Sequence, residues 1–326
     1  MKLLFAGSPA IAVPALLSLA ALEREGICSV AGVLTNPDSA KGRSGKQEPT
    51  PVGAAAARFG IPSGVILKPA RLDAAARDAA AAAGADMLVT FAYGHIFGPK
   101  FLALFPRGGI NIHPSLLPKY RGPTPVQAAI RAGDGETGVS IQYLAPEMDA
   151  GDILVQEIIP LSGRETAETL SEQAADKGAH MLAALIRRFA SGEPVMARPQ
   201  TGAARYCALI AREDGLIDWA QSAVAIDRQI RAFTPWPLSW TWHGETELTV
   251  LEGAPCTVET APNMAAPNLA MPGTVLGVDR ERGILIQTGS GVFAAGRLQY
   301  RARKALHWKD FLNGAKDFLG SRLGKY

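Results

Sequence analysis

Residues 2–34, KLLFAGSPAIAVPALLSLAALEREGICSVAGVL, decide the fold class of this chain. Residues 2–6 are apolar enough for a strand buried on both faces, and Gly7-Ser8-Pro9 then predicts a tight turn. A helix follows through about Glu25, and a second apolar run at 27–34 has the length of a strand. Strand, turn, helix and strand in this order predict the start of a parallel α/β sheet.

The same stretch also has the charged start and apolar run of a signal peptide. Gly7-Ser8-Pro9 and Pro14 interrupt that run, and the second strand-like segment continues the α/β pattern. Elsewhere no segment approaches the ~20 uninterrupted apolar residues of a membrane span. We therefore expect a cytoplasmic protein that does not enter the membrane.

The rest of the chain predicts two domains. An alanine-rich helix, further strands and a long amphipathic helix extend the first sheet, at 71–84, 86–91, 109–113, 138–143, 153–159 and 166–191. A segment rich in Pro, Gly and Ala follows, and then short strand-like runs separated by turns, which are typical of a small β-barrel. The predicted boundaries are 1–192 for the first domain, 193–207 for a linker and 208–326 for the second domain.

Composition excludes several classes of protein. With 326 residues and 48% hydrophobic side chains, the chain is neither a small module nor disordered. The three cysteines Cys28, Cys207 and Cys256 are too far apart for a disulfide framework or a CxxC metal site. No two of the five histidines have metal-ligand spacing, so we expect no metal.

The net charge of +3 conceals an uneven distribution, because residues 297–326 carry eight Lys and Arg against two Asp. Two interpretations of this tail stay open. Its cations, among them Arg301, Arg303 and Lys304, could bind a phosphate backbone while neighbouring aromatic side chains stack on bases. Alternatively, it is an amphipathic helix with its aromatic side chains in the core and its cations in solvent. A second basic segment, Lys41, Arg43 and Lys46, lies in a predicted long loop at 35–52.

Asn111 and His113 are the first candidates for chemistry. Because side chains alternate along a strand, both point to the same side, opposite to Ile110 and Ile112. They lie at the carboxyl end of their strand, where parallel sheets bind ligands. An amide beside an imidazole could stabilise an oxyanion and move a proton. The alternative is an Asn that caps a turn and a His that only bonds to the backbone.

Three motifs together resemble one enzyme family. They are Asn111-Ile112-His113, Ser115-Leu116-Leu117-Pro118 and Met148-Asp149-Ala150-Gly151-Asp152, and they resemble the signature of the 10-formyltetrahydrofolate-dependent formyltransferases. The segments 5–9, 35–38, 41–43, 218–219 and 230–233 are similar to those of the methionyl-tRNA formyltransferase group. This likeness extends over essentially the whole chain.

The resemblance implies an α/β fold, with a Rossmann-like parallel-sheet formyltransferase domain followed by a small OB-like β-barrel domain. It implies formyl transfer from 10-formyltetrahydrofolate to the α-amino group of initiator methionyl-tRNA, without a metal. The implied catalytic residues are Asn111, His113 and Asp149, and Ser115, Leu116, Leu117 and Pro118 are implied to bind folate. The implied tRNA contacts are Arg43, Lys41, Lys46, Arg301, Arg303 and Lys304. We expect a monomer.

Three rival functions remain open, and one of them is a tRNA-binding protein without catalytic activity. A sugar-nucleotide N-formyltransferase would keep the same catalytic residues and replace the tRNA. A nicotinamide-dependent oxidoreductase is suggested by the opening strand, turn and helix, but Gly7-Ser8-Pro9 is not the GxGxxG pattern that cradles a pyrophosphate. One departure from the family pattern is His95, at a position where relatives commonly have a polar residue without an imidazole. Residues 261–271 resemble an insertion in the barrel without an assigned role.

Overall fold

A computed structural model describes residues 1–41, 45–256 and 270–325 of the chain. The chain forms two compact units. The first comprises Met1–Val126, Gly135–Leu161 and Thr169–Leu209, and the second comprises Gln127–Asp134, Ser162–Glu168 and Ile210–Tyr326. The predicted linker 193–207 thus belongs to the first unit, because its backbone hydrogen-bonds to residues 118, 121 and 153 there. Sequence composition could not reveal these backbone contacts.

The secondary structure alternates between strands and helices up to residue 191 and then becomes mainly β. The strands are β1 (Lys2–Gly7), β2 (Ser29–Leu34), β3 (Ser39–Lys41), β4 (Lys46–Glu48), β5 (Ile66–Leu67), β6 (Met87–Phe91), β7 (Gly109–His113), β8 (Glu136–Tyr143), β9 (Ile153–Pro160), β10 (Ser239–His243), β11 (Thr246–Cys256), β12 (Val275–Asp279), β13 (Gly283–Gln287), β14 (Val292–Tyr300) and β15 (Leu306–His307). The helices are α1 (Val13–Arg24), α2 (Pro51–Arg58), α3 (Ala74–Ala82), α4 (Pro99–Leu102), α5 (Pro125–Ala132), α6 (Ala167–Ser191), α7 (Ala223–Ala232) and α8 (Trp308–Gly314). Among the helices that the structure describes, none is long and apolar enough to span a bilayer.

The first unit is built on a seven-stranded sheet with the order β5-β2-β1-β6-β7-β8-β9. The five strands from β5 to β7 run parallel, whereas β8 and β9 are antiparallel to their neighbours. The predicted α/β class with a mainly parallel, Rossmann-like sheet is therefore confirmed. The change of direction at β7 and β8 places the ends of these two strands on opposite edges of the sheet.

β1 lies near the middle of this sheet, and Leu3, Leu4, Phe5 and Ala6 are fully buried. Burial on both faces explains why its sequence is continuously apolar rather than alternating. The strand ends at Gly7, where a Cβ would lie 2.8 Å from the carbonyl oxygen of Phe91. A side chain at this position would therefore push β1 and β6 apart.

The predicted long loop at 35–52 contains regular structure. β3 and β4 form an antiparallel hairpin that pairs Lys41 with Lys46, and α2 begins at Pro51. The Thr50 hydroxyl caps α2 by accepting from the backbone N–H of Gly53. Thr-Pro is a local helix-start signal. The prolines and glycines around it are typical of a loop, and for that reason the sequence predicted a loop here.

The second unit is built on a six-stranded antiparallel sheet with the order β10-β11-β14-β13-β12, with β15 paired to β14. β10 and β12 are the edge strands of this sheet. The terminal segment 320–324 bonds to both of them, because Gly324 N donates to Trp242 O at 2.8 Å and Gly320 N donates to Val275 O at 2.9 Å. The C-terminal segment thus bridges the two edges of the sheet. Of the predicted insertion at 261–271, residues 261–269 lie outside the described residues.

The aromatic side chains of the C-terminal tail belong to the core of the second unit. Trp308, Phe311 and Phe318 are buried among residues of β11, β13 and β14, and Tyr300 packs against them. The interpretation in which these rings stack on bases is therefore wrong, because side chains buried in a core cannot reach a nucleic acid. The alternative prediction, a core of aromatic side chains with solvated cations, describes this tail.

We predict that Phe318→Ala destabilises the second unit by about 3–5 kcal/mol, since it removes a fully buried aromatic ring. All five tryptophans lie within residues 219–308, so tryptophan fluorescence during urea unfolding reports on this unit alone. The neighbouring Leu319 is half exposed, and Leu319→Ala is the matched control. Equal effects of the two substitutions would contradict the burial of Phe318.

Candidate active site

The turn after β8 folds back over the first unit's sheet to the polar side chains of β7. Asn111 and His113 lie on β7, and Asp149 lies in the turn between β8 and β9. In that turn a Cβ on Gly151 would lie 1.8 Å from the carbonyl oxygen of Tyr143. The glycine lets the turn fold back onto β8 and brings Asp149 to the polar side of β7.

The Asp149 carboxylate accepts three hydrogen bonds. Its Oδ1 accepts from Asn111 Nδ2 at 3.1 Å and from Gln142 Nε2 at 3.2 Å, while Oδ2 accepts from the backbone N–H of Gly122 at 2.8 Å. These donors come from β7, from β8 and from the loop after β7. Both oxygens are thereby fixed in position by separate parts of the fold.

The His113 ring is buried and its tautomer is set by the backbone. Nε2 lies 2.8 Å from the carbonyl oxygen of Tyr120. A carbonyl can only accept, so Nε2 carries a proton. Nδ1 faces Asp149 Oδ2 across 3.6 Å, which is close enough for charge attraction but longer than a hydrogen bond. In the neutral ring, Nδ1 is therefore the nitrogen with the lone pair.

The Ser115-Leu116-Leu117-Pro118 loop is tied down by side chains of β8 and β9. Ser140 Oγ donates to Ser115 O and accepts from Leu117 N, and Gln156 Nε2 donates to Leu117 O. The Ser115 hydroxyl is used inside the loop, where it donates to Lys119 O at 2.6 Å. Ser115 and Leu117 are buried, whereas Leu116 and Pro118 are partly exposed. In this arrangement Ser115 and Leu117 hold the loop, and Leu116 and Pro118 are its accessible apolar faces.

Comparison with known proteins gives the family. The model of the formyl transferase family matches residues 1–186, and that of the formyl transferase C-terminal domain matches residues 209–316. The chain belongs to the formyl transferase family. It is 48% identical to a methionyl-tRNA formyltransferase of Treponema denticola over 98% of both chains, and 39% identical to one of Roseiflexus castenholzii over 99% of both. The family predicted from the Asn111, Ser115 and Asp149 motifs is thereby confirmed.

Solved structures share the fold of this formyl transferase at low identity. The HypX protein of Aquifex aeolicus in complex with tetrahydrofolic acid has a TM-score of 0.60 at 18% identity, covering 98% of this chain and 48% of that one. An N-formyltransferase of Helicobacter canadensis has the same TM-score at 18% identity, covering 90% and 99% of the two chains. These likenesses support the fold alone.

The predicted linker forms part of the site in this formyl transferase. Arg205 and Cys207 pair with the backbone of residues 118–121, and the Gln200 side chain donates to the backbone oxygens of Asp149 and Gly151. We call residues 198–208 the strap. Sequence reasoning missed it because it has no periodicity and no motif. Gln142 was missed too, because β8 mixes polar and apolar residues and only the structure shows that this amide is buried.

Cys207 of the strap holds the loop after β7. Its sulfur accepts from the backbone N–H of Thr124 at 3.3 Å and lies 3.3 Å from the carbonyl oxygen of Arg121. Burial raises the pKa of the Cys207 thiol, and the nearby Asp149 charge adds to the rise. The thiol therefore keeps its proton near neutral pH and can donate to Arg121 O.

The predicted tRNA contacts lie in two places. Lys46 is exposed on the β3–β4 hairpin, while Arg43 and the side chain of Lys41 lie outside the described residues. Arg301, Arg303 and Lys304 are exposed in the turn between β14 and β15. Each set is cationic and accessible where the structure describes it.

His95 lies near the carboxyl ends of β1, β2 and β6. Its Nε2 is 3.0 Å from Asn36 Oδ1, and the Asn36 backbone N–H donates to Ser8 Oγ.

Within the described part of the chain, no group of three or more His, Cys, Asp or Glu side chains could hold a metal ion.

Proposed function

We propose that this chain transfers the formyl group of 10-formyltetrahydrofolate to the α-amino group of methionine on charged initiator tRNA. The observation that carries the proposal is the grouping of Asn111, which donates to Asp149, with His113, whose Nδ1 faces the same carboxylate across 3.6 Å, in a chain of the formyl transferase family. The names of the relatives, which match over nearly the whole chain, supply the acceptor. The donor is the one that the resemblance to the 10-formyltetrahydrofolate-dependent family implies, and one solved neighbour of the same fold is in complex with tetrahydrofolic acid.

The chemistry requires an oxyanion site and a proton acceptor. The amine lone pair attacks the formyl carbon, and the carbonyl π electrons move to oxygen. The tetrahedral intermediate then breaks its bond to the folate nitrogen, which keeps the electron pair and gains a proton, while the attacking nitrogen loses one. Catalysis therefore depends on groups that bind the developing oxyanion and carry this proton.

The geometry suggests a role for each residue. One N–H of the Asn111 amide is used by Asp149, and we assign the other to the oxyanion. We assign the proton from the amine to His113 Nδ1, because Nε2 is already bonded to Tyr120 O. A proton taken up at Nδ1 would face Asp149 Oδ2. Leu116 and Pro118 would contact the folate ring from the adjacent loop.

The rival functions are not favoured. Relatives at 39% identity or more over nearly the full chain are methionyl-tRNA formyltransferases. The solved N-formyltransferase from Helicobacter canadensis is only 18% identical. This identity supports a shared fold, but it gives no reason to assign the same acceptor to this chain. The turn after β1, Gly7-Ser8-Pro9, lacks the GxGxxG pattern that would indicate a nicotinamide cofactor.

The proposal predicts formylation of charged initiator tRNA when 10-formyltetrahydrofolate is present. Acid-gel separation of formyl-methionyl-tRNA from methionyl-tRNA gives the product directly. Uncharged initiator tRNA should give no product, and charged elongator tRNA should react far more slowly. Formylation of an amino-sugar nucleotide but not of the charged tRNA would contradict the proposal.

His113→Ala removes the group to which we assign proton transfer, and its kcat can be measured in the same assay. We expect its kcat to fall by about 10²–10⁴-fold, which is the usual cost of losing such a group. An unchanged kcat would show that the His113 assignment is wrong, even if wild-type protein formylates the tRNA.

We also propose that Arg303, with Arg301 and Lys304, contacts tRNA phosphates. Arg303→Ala should reduce the slope of log affinity for tRNA against log salt by about 1, because one fewer counterion is released on binding. Arg280→Ala is the matched control, since Arg280 is an exposed arginine in the β12–β13 turn of the same unit. Filter binding between 50 and about 200 mM salt measures both slopes. Equal slopes for the two variants would contradict the assignment of Arg303.

A further inference from the structure

Gln200, on the strap, makes an unusual number of hydrogen bonds around the Asp149 turn. Its Nε2 lies 2.7 Å from the carbonyl oxygen of Asp149, 2.8 Å from that of Gly151 and 3.0 Å from Gln142 Oε1. All three atoms are acceptors, so the side-chain amide is oriented with its nitrogen towards the turn. The amide thus holds the backbone on both sides of Ala150.

The oxygen of the same amide is held by an arginine. Gln200 Oε1 accepts from Arg121 Nε at 3.1 Å and from Arg121 Nη2 at 2.8 Å. Nη1 of this guanidinium donates to Glu147 and to the Tyr206 hydroxyl, and only 11% of the Arg121 side chain is exposed. Arg121 thus fixes which end of the amide faces Asp149.

The hydrogen-bond partners of Gln200 connect it to Asp149 in three ways. Gln142, which accepts from Gln200, donates to Asp149 Oδ1. Arg121 immediately precedes Gly122, whose backbone N–H donates to Asp149 Oδ2. The third connection is the carbonyl of Asp149 itself. Gln200 is therefore one residue removed from Asp149 Oδ1, two residues removed from Oδ2 and directly bonded to the Asp149 backbone.

Asp149 needs such support because its backbone is left-handed, with φ of +53°. This conformation is unfavourable for a residue with a side chain and persists only where the surrounding structure enforces it. The hydrogen bonds from Gln200 act on the carbonyls that bracket the turn. Without them, the turn could relax and move the carboxylate away from His113 and Asn111.

We infer that Gln200 is a positioning residue for formyl transfer, which acts by fixing the Asp149 turn against the loop after β7. It touches none of the reacting atoms in the mechanism proposed above, and the inference rests on that proposed function. If Gln200 only held the strap against the rest of the first unit, its substitution would lower the free energy of unfolding and leave kcat unchanged. A positioning residue affects kcat through Asp149.

The substitutions Gln200→Met and Gln200→Glu separate the two sides of the amide. Methionine has nearly the same length and removes both the donor and the acceptor. Glutamate keeps an oxygen for Arg121 but removes the N–H groups that face Asp149 and Gly151. Gln229→Met is the matched control, because the Gln229 amide donates to two backbone carbonyls, those of Gly215 and Leu216, in the second unit.

Both Gln200 variants should lower kcat about 10- to 100-fold, because a displacement of about 1 Å in a catalytic group has a cost of this size. Their KM for charged tRNA should stay within about twofold of wild type, and Gln229→Met should leave kcat unchanged. In an Asp149→Ala background, Gln200→Met should have less than about a twofold further effect, because coupled residues are not additive. Multiplicative losses in the double variant, or a changed KM with normal kcat, would overturn the inference.

A readout that needs no substrate separates this inference from the proposed function. In ¹H–¹⁵N spectra of the full chain, Gln200→Met should increase the exchange rate of the Gly122 amide proton at least about tenfold, and Gln229→Met should not. If wild-type protein failed to formylate the tRNA but this change occurred, the proposed function would fail and the positioning of Asp149 by Gln200 would stand. An unchanged Gly122 amide in both Gln200 variants would refute the positioning role whatever the activity.

Discussion

The site depends on the hydrogen bonds that hold the Asp149 carboxylate. A carboxylate taken from water needs donors on both oxygens, and here β7, β8 and the loop after β7 each supply one, through Asn111, Gln142 and Gly122. Because the donors come from three separate elements, the carboxylate also fixes these elements relative to one another. His113 is placed by the same loop, since its Nε2 bonds to Tyr120, two residues before Gly122.

The backbone at this point allows little variation. A Cβ on Gly151 would overlap Tyr143, and one on Gly122 would lie 2.4 Å from the carbonyl oxygen of Cys207. Asp149 itself has a left-handed backbone. Such geometry is stored where function requires it and is stabilised by the surroundings. The strap provides much of that stabilisation, with Gln200 on one side and Cys207 on the other.

The sequence predicted the parts of this arrangement that follow local rules. β1 was found because burial on both faces makes a strand continuously apolar, and strand alternation in β7 placed Asn111 and His113 together. The strap could not be predicted, because its contacts join residues about 45 to 90 positions apart and leave no periodic pattern. The C-terminal aromatic side chains show another limit, since the same residues fit a core or a binding surface until their burial is known.

The role proposed for Asp149 depends on its negative charge and not only on its shape. Asp149→Asn keeps the size of the side chain and removes the charge opposite His113 Nδ1. Single-turnover formyl transfer to charged initiator tRNA, with both substrates saturating, measures the chemical step directly. We expect a rate at least about 100-fold below wild type, with tRNA affinity unchanged. A rate near that of wild type would contradict it.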